Sequence, residues 1–358
     1  MFAVFMNGEV LSEVQTSVNL SSSGTIFYSL PDPTSSSPNE TISLTSFGTD
    51  YGVHFDSGSP ERWLSYLSSM EHWKSKGILT YRLGFVFEES PVEPLGRHGS
   101  SVYTPEKLER TLEIFNSVDI KVIMMLQNNY DCQHYIGSDA WRSNWLDLAE
   151  TFKGDQRLAA ISLFSEPQHS ESEGTPWEPY DTWDPSITSR FELNEEFAQL
   201  IREIHEIDPE RVVIFPYPGF QYDNYNEWFA DLQTIGIVNE PNVVFDIVHP
   251  YFFENEWDQG MTPTQKAANT AKTKIAPSVN FFGAERIWCG ETFVWYGTGP
   301  SGNTMTRNLQ IEWITAIINQ FDSYNMAFNI WVTIPDHTSN WDWSREGIEQ
   351  SSLFNSFT

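Results

Sequence analysis

Two glutamates stand where chemistry could be done: Glu166 in Ser165-Glu166-Pro167 and Glu291 in Gly290-Glu291-Thr292. Each closes an apolar run, Leu158 to Phe164 for the first and Arg286 to Cys289 for the second. A carboxyl at such a place is either a solvated strand end or a working acid. As a pair, two carboxyls can divide the cleavage of an acetal, one protonating the leaving oxygen and the other attacking the anomeric carbon. Other polar side chains sit within or just after similar runs. They are Arg82 in Tyr81-Arg82-Leu83-Gly84-Phe85, Gln127 and Asn128 after Leu126, and His249-Pro250-Tyr251 after Val248. The aromatic content points the same way. Of 14 Trp, several lie among Pro, Gly, Asp and Asn instead of in apolar runs: Trp177, Trp183, Trp257, Trp295, Trp341 and Trp343. Most aromatic residues fill the core. A loop tryptophan beside carboxylates and amides suits a sugar, whose C–H face stacks on indole while its hydroxyls bond the polar neighbours.

The elements that must position these groups follow a rhythm. Short apolar runs at Ile78 to Val86, Ile120 to Leu126, Leu158 to Phe164, Arg211 to Phe215, Val243 to Val248, Arg286 to Cys289 and Met326 to Val332 read as strands. Tyr51 to Phe55 adds a first one. Between them apolar residues recur at helical spacing, as in Trp63, Leu67, Met70; Leu108, Leu112, Phe115; and Leu193, Phe197, Leu200, Ile201, Ile204. Ser59-Pro60, Thr104-Pro105 and Thr262-Pro263 each place a capping hydroxyl before a proline in the first turn. Near-continuous apolar strands alternating with helices predict a parallel sheet buried on both faces. Eight such units predict an α/β chain closed into a (β/α)8 TIM barrel over 49–358, with 1–48 a short β-rich N-terminal extension. A doubly wound open sheet is the alternative, and it would want a G-x-G-x-x-G or Walker turn after an early strand, where the chain has none. In the barrel, Glu166 on strand four and Glu291 on strand seven would face one mouth. Carboxyls so placed are expected about 5–5.5 Å apart, too close to admit a water and therefore suited to a covalent intermediate.

At this point the sequence resembles clan A glycoside hydrolases, most nearly family 5, the cellulase-type barrels. The resemblance runs from about Gly52 to Trp343. That family ends strand four in Asn-Glu-Pro, matched by Ser165-Glu166-Pro167, and carries His-x-Tyr on strand six, matched by His249-Pro250-Tyr251. Gly290-Glu291 matches its strand-seven nucleophile, Arg82 its strand-two arginine and Trp331 its strand-eight tryptophan. The resemblance implies that Glu166 is the acid/base and Glu291 the nucleophile. Tyr251 and Arg82 would stabilise the charge of Glu291, His249 would lie near the acid/base or a sugar hydroxyl, and Trp331 would form the floor under the sugar. Two departures stand out. Ser165 replaces the asparagine that bonds the substrate 2-hydroxyl, and the strand-three histidine is missing, leaving Gln127 or Asn128 to supply an amide. Trp295 joins these as an expected sugar contact. The implied activity is a retaining endo-β-1,4-glycosidase on a β-glucan such as cellulose. The alternatives are a mannanase or xyloglucanase of the same fold, or a carbohydrate-binding barrel with impaired catalysis.

Composition bounds the partners. With 49 acidic and 20 basic residues the formal charge is −29, which argues against nucleic acid and anionic membranes. Such an excess of carboxylate suits high salt or a low working pH. No run reaches the ~18 apolar residues of a membrane span. Two cysteines, Cys132 and Cys289, exclude a disulfide framework, and both are expected to be free. The histidines are scattered without ligand spacing, so no metal or organic cofactor is expected. A monomer with a polysaccharide or oligosaccharide partner is expected, secreted by analogy with the family although no leader is visible in MFAVFMNGEV.

Overall fold

The structure, a computed structural model, describes residues 5–6, 9–10, 26–29, 41–44, 71, 74, 80–87, 101–126, 136–164, 167, 189–216, 225–252, 260–294 and 307–329. The expected strand Tyr51 to Phe55 and the helical face of Trp63, Leu67 and Met70 lie outside these residues. The chain divides into two compact units. One holds Asp50–Lys74 and Thr80–Asp246 and is called here the Arg82 unit; the other, the Glu291 unit, holds Met1–Thr49, Ser75–Leu79 and Ile247–Thr358. In the N-terminal stretch, β1 (Phe5–Met6) pairs antiparallel with β2 (Glu9–Val10). Likewise β3 (Ile26–Ser29) pairs antiparallel with β4 (Thr41–Leu44).

The Arg82 unit is a parallel sheet interleaved with helices. Its strands are β5 (Thr80–Val86), β6 (Ser101–Val102), β7 (Lys121–Leu126), β8 (Leu158–Ser162), β9 (Val213–Phe215) and β10 (Val243–Asp246). Their order is β10-β9-β8-β7-β5-β6, every pairing parallel. Helices α1 (Pro105–Asn116), α2 (Asp139–Thr151), α3 (Arg190–Ile207) and α4 (Tyr225–Ile235) fall between successive strands from β6 onward. The start of α1 is where the Thr-Pro pair put it: Thr104 Oγ1 accepts from Lys107 N at 3.2 Å. Ser138 and Ser189 cap α2 and α3 in the same way, without a proline to advertise them.

Burial on both faces explains the apolar strands. Tyr81 packs on Phe115 of α1 at 5.2 Å, and Phe215 on Phe197 of α3 at 5.9 Å. Odd residues of β5 and β9 therefore face helices, and alternation turns their neighbours to the other face. The register Arg82↔Ile123, Met125↔Ser162, Ser162↔Ile214, Ile214↔Val244 carries that face across the sheet. The buried polar residues of these strands, Thr80, Arg82, Ser162 and Asp246, all belong to it. The helix face is apolar; the opposite face holds the polar groups.

Arg211 departs from expectation. The sequence puts it in the fifth strand, but the ladder begins at Val213. The guanidinium donates instead to the carbonyls of Phe152 at 2.6 Å, of Asp155 at 3.2 Å and of Leu158. It also pairs with Asp208 at 3.0 Å. A buried cation with four acceptors is better satisfied in this loop than in a ladder. Arg157, just before β8, is held by Asp155 and by both oxygens of Glu109, at 2.8 Å each. These ion pairs gather at the amino ends of the strands, the end of a parallel sheet that carries stability more than chemistry.

The Glu291 unit repeats the parallel scheme. It contains β11 (Tyr251–Phe252), α5 (Pro263–Thr270), a π-helical turn at Ala271–Ile275, α6 (Ala276–Phe282) and β12 (Ile287–Cys289). Then follow β13 (Phe293–Val294), α7 (Arg307–Ser323) and β14 (Ala327–Phe328). Strand β12 pairs parallel with β14, and β11 with β13. Thr262-Pro263 starts α5 with a full capping box: Thr262 Oγ1 accepts from Gln265 N while the Gln265 side chain accepts from Thr262 N. Among the described residues no helix is long and apolar enough to cross a membrane.

Candidate active site

The Glu291 unit brings one half of the expected site together. Register Tyr251↔Phe293 sets the tip of the sixth apolar run beside that of the seventh. Counting back two residues on each gives His249 and Glu291. The Thr292 hydroxyl donates to the Pro250 carbonyl at 2.6 Å, locking the two tips at the residues between. Below them the Ile247 N–H donates to the Trp288 carbonyl at 2.9 Å. Within the seventh run itself the Cys289 thiol donates to the Glu291 carbonyl at 3.2 Å, and on the other side the Asn329 N–H donates to the Cys289 carbonyl at 2.7 Å. Cys289 is a buried free thiol, as expected.

Glu291 is 8% exposed, and His249 and Thr292 are buried with it. A carboxyl so enclosed at the carboxyl end of a parallel strand is not a solvated strand-end residue. Burial of a charged group is costly unless it is paired and hydrogen-bonded. The backbone of Tyr251 lies in β11 at the same end.

The Arg82 unit holds other residues singled out in the sequence. Arg82 is wholly buried on the polar face of β5. A guanidinium there is an uncommon core residue. Ser162, at the end of β8, faces the same way. Gln127, Asn128, Ser165, Glu166, Trp295 and Trp331 lie outside the described residues, as do Trp177, Trp183, Trp257, Trp341, Trp343 and Cys132. The chain reaches buried Pro167 directly after Glu166. Among the described residues no group of three or more His, Cys, Asp and Glu is placed to hold a metal.

Two polar groups escaped the sequence reading. Asp246, buried in the run Val243 to Val248, falls on the polar face of β10. Asn329 is fully buried one residue beyond β14. The signal for each was a lone polar residue inside an otherwise apolar strand.

No family model and no curated sequence matches the chain. Solved structures do. The cellulose synthase subunit Z of Clostridioides difficile superposes with a TM-score of 0.58 at 15% identity, covering 87% of this chain and 99% of that one. An endocellulase of Pyrococcus horikoshii, solved in a complex with cellotetraose, gives 0.58 at 14% identity over 88% of this chain and 94% of its own. A GH5-4 broad specificity endoglucanase from an uncultured bacterium gives 0.56 at 10%, over 88% and 92%. At such identities the likeness is one of backbone, and it spans nearly the whole of both chains. The fold of this chain is similar to that of these solved endoglucanase structures.

Proposed function

We propose that this chain is a retaining endo-β-1,4-glucanase built on a closed (β/α)8 barrel, with Glu166 as acid/base and Glu291 as nucleophile. The observation that carries the reading is Glu291: a buried glutamate at the tip of a parallel strand, tied to its neighbours on both sides, in a chain whose fold is similar to that of endoglucanases. In the first step the Glu166 carboxyl gives its proton to the glycosidic oxygen as that bond to the anomeric carbon breaks. The Glu291 carboxylate attacks the same carbon, forming a glycosyl ester of inverted configuration. In the second step Glu166, now a carboxylate, takes a proton from water as the water oxygen displaces Glu291. The second inversion restores the original anomer.

The other residues serve these two. Tyr251 donates a hydrogen bond to the Glu291 carboxylate, and Arg82 stabilises its charge. His249 stands beside the acid/base or a sugar hydroxyl, and Trp331 stacks under the sugar at the cleavage point. Gln127 or Asn128 supplies an amide in place of the absent strand-three histidine, and Ser165 reaches the 2-hydroxyl through a water. Trp295 contacts a sugar further along the cleft. A polymeric glucan is met outside the cell, so the reading carries secretion with it.

The experiment is a polysaccharide panel with chromatography of the products, covering carboxymethyl-cellulose, mixed-linkage glucan, xyloglucan and mannan. Mid-chain cleavage of the β-1,4-glucans supports the reading. Cleavage of mannan alone would change the substrate. Binding without turnover at any pH from acid to neutral would replace the enzyme with a carbohydrate-binding protein.

A further inference from the structure

Asn329 is a buried amide that the mechanism above does not use. It is fully buried, and among the described residues neither Oδ1 nor Nδ2 has a hydrogen-bond partner. Its place is well defined. Phe328 packs on Phe321 of α7 at 4.8 Å, so alternation turns Asn329 to the face away from that helix. The register Trp288↔Ala327 and Cys289↔Phe328 continues to put Gly290 opposite Asn329, and the bond from Asn329 N–H to the Cys289 carbonyl agrees. Opposite this amide there is thus a glycine, with no side chain of its own, and the next residue is Glu291.

A carboxamide offers two donors and an acceptor with two lone pairs. Left unpaired in an apolar interior, these groups cost more than an ordinary hydrogen bond returns, and Leu of nearly the same shape would be the more stable choice. Buried polar atoms of this kind are commonly satisfied by an ordered water or by a ligand. The tip of β12 already has two backbone anchors, the Cys289 thiol on the Glu291 carbonyl and the Thr292 hydroxyl on Pro250. We propose that Asn329 is a positioning residue for Glu291, its carboxamide holding one hydroxyl-bearing group against Gly290 and thereby fixing the β12 tip. In the free protein that group is a water. The proposal deepens the glycosidase reading and rests on it for its kinetic consequence.

The test has a crystallographic and a kinetic arm. Wild type is crystallised at high resolution with and without cellotetraose. Wild type, Asn329→Leu and Asn329→Ser are compared in melting temperature and in kcat and KM on a soluble β-glucan. The expected free crystal shows one water within hydrogen-bond reach of both Oδ1 and Nδ2. Asn329→Leu melts at or above wild type yet loses kcat about tenfold, the worth of one well-placed hydrogen bond. Its KM stays within about twofold of wild type, and Asn329→Ser, whose smaller side chain readmits water, regains part of the rate. The proposal is overturned by an empty amide in the free crystal or by full kcat in Asn329→Leu. A joint loss of melting temperature and rate that Ser does not relieve also overturns it, since a packing role alone predicts that. Density seen only with cellotetraose, with KM raised and kcat unchanged in Asn329→Leu, makes the amide a sugar contact and removes the positioning role. A wild type that cleaves no glucan defeats the glycosidase reading, while the water in its free crystal still decides whether the amide holds one.

Discussion

Removing the guanidinium of Arg211 should unfold much of what the amino ends of β8 and β9 share. The side chains of Arg211 and Asp208 are 5% and 6% exposed and pair at 3.0 Å. Arg211 also satisfies the carbonyls of Phe152, Asp155 and Leu158. Burial works against its charge, lowering its pKa, and Asp208 is the main group opposing that. In Arg211→Met the alkyl stem survives but Asp208 becomes a buried carboxylate without its cation. The loss should be about 3–5 kcal/mol, the range for breaking one partner from a buried pair. Changing Asp208→Asn as well removes the stranded charge and keeps an acceptor for the Gly154 N–H, which Asp208 holds at 3.0 Å. The double variant should therefore recover roughly half of the loss, the orphaned carbonyls accounting for the remainder. Urea unfolding followed by tryptophan fluorescence reads this as a midpoint lowered by about 1 M for the single variant. A single variant within about 1 kcal/mol of wild type, or a double variant no better than the single, refutes the reasoning.

His205 supplies a pH signature. Burial lowers its pKa below the ordinary imidazole value, against the hydrogen bond to the Arg211 carbonyl at 3.0 Å. The unfolded chain then takes up the proton first, so this residue makes stability fall as pH drops through about 6.5. His205→Gln should flatten the change in urea midpoint between about pH 7 and about pH 5, and an unchanged slope would clear His205. At the site, Tyr251→Phe should cost about tenfold or more in kcat/KM for a single charge-assisted hydrogen bond, measured on a soluble glucan; an unaltered constant would remove Tyr251 from the nucleophile. Glu166→Gln should abolish the alkaline limb of the rate profile on substrates whose leaving group needs no proton, and a persisting limb would assign the acid elsewhere.

Much of this architecture was legible because burial on both faces leaves a plain mark. The run Ile120 to Leu126 and its neighbours could be read as strands since nearly every position is apolar, and α3 could be read from Leu193, Phe197, Leu200 and Ile204. Thr104 and Thr262 announced helix starts because proline tolerates only the first turn. Other features were silent for equally physical reasons. The two-residue strand β6 is set by its partner Phe85 and Val86, not by its own sequence, Ser-Val. Arg211 looks like a strand residue until the carbonyls of Phe152 and Leu158 are folded beside it. Of the candidate site, the place of Glu291 at a strand end was legible from the stop after Cys289, while the Thr292–Pro250 bond that ties its tip to that of His249 is one no pattern reveals. Asn329 went unread because a lone polar residue in the run Met326 to Val332 has no meaning until its partners, or their lack, are seen.

The central claim is that Glu291 attacks the anomeric carbon and that the reaction retains configuration. Proton NMR of the first sugar released by wild type, taken before mutarotation, tests it most directly. The account predicts the β-anomer, with Glu291→Ala inactive on its own and yielding product of inverted configuration when azide is supplied. An initial α-anomer would mean a water, and not Glu291, attacks the sugar, and would contradict the account.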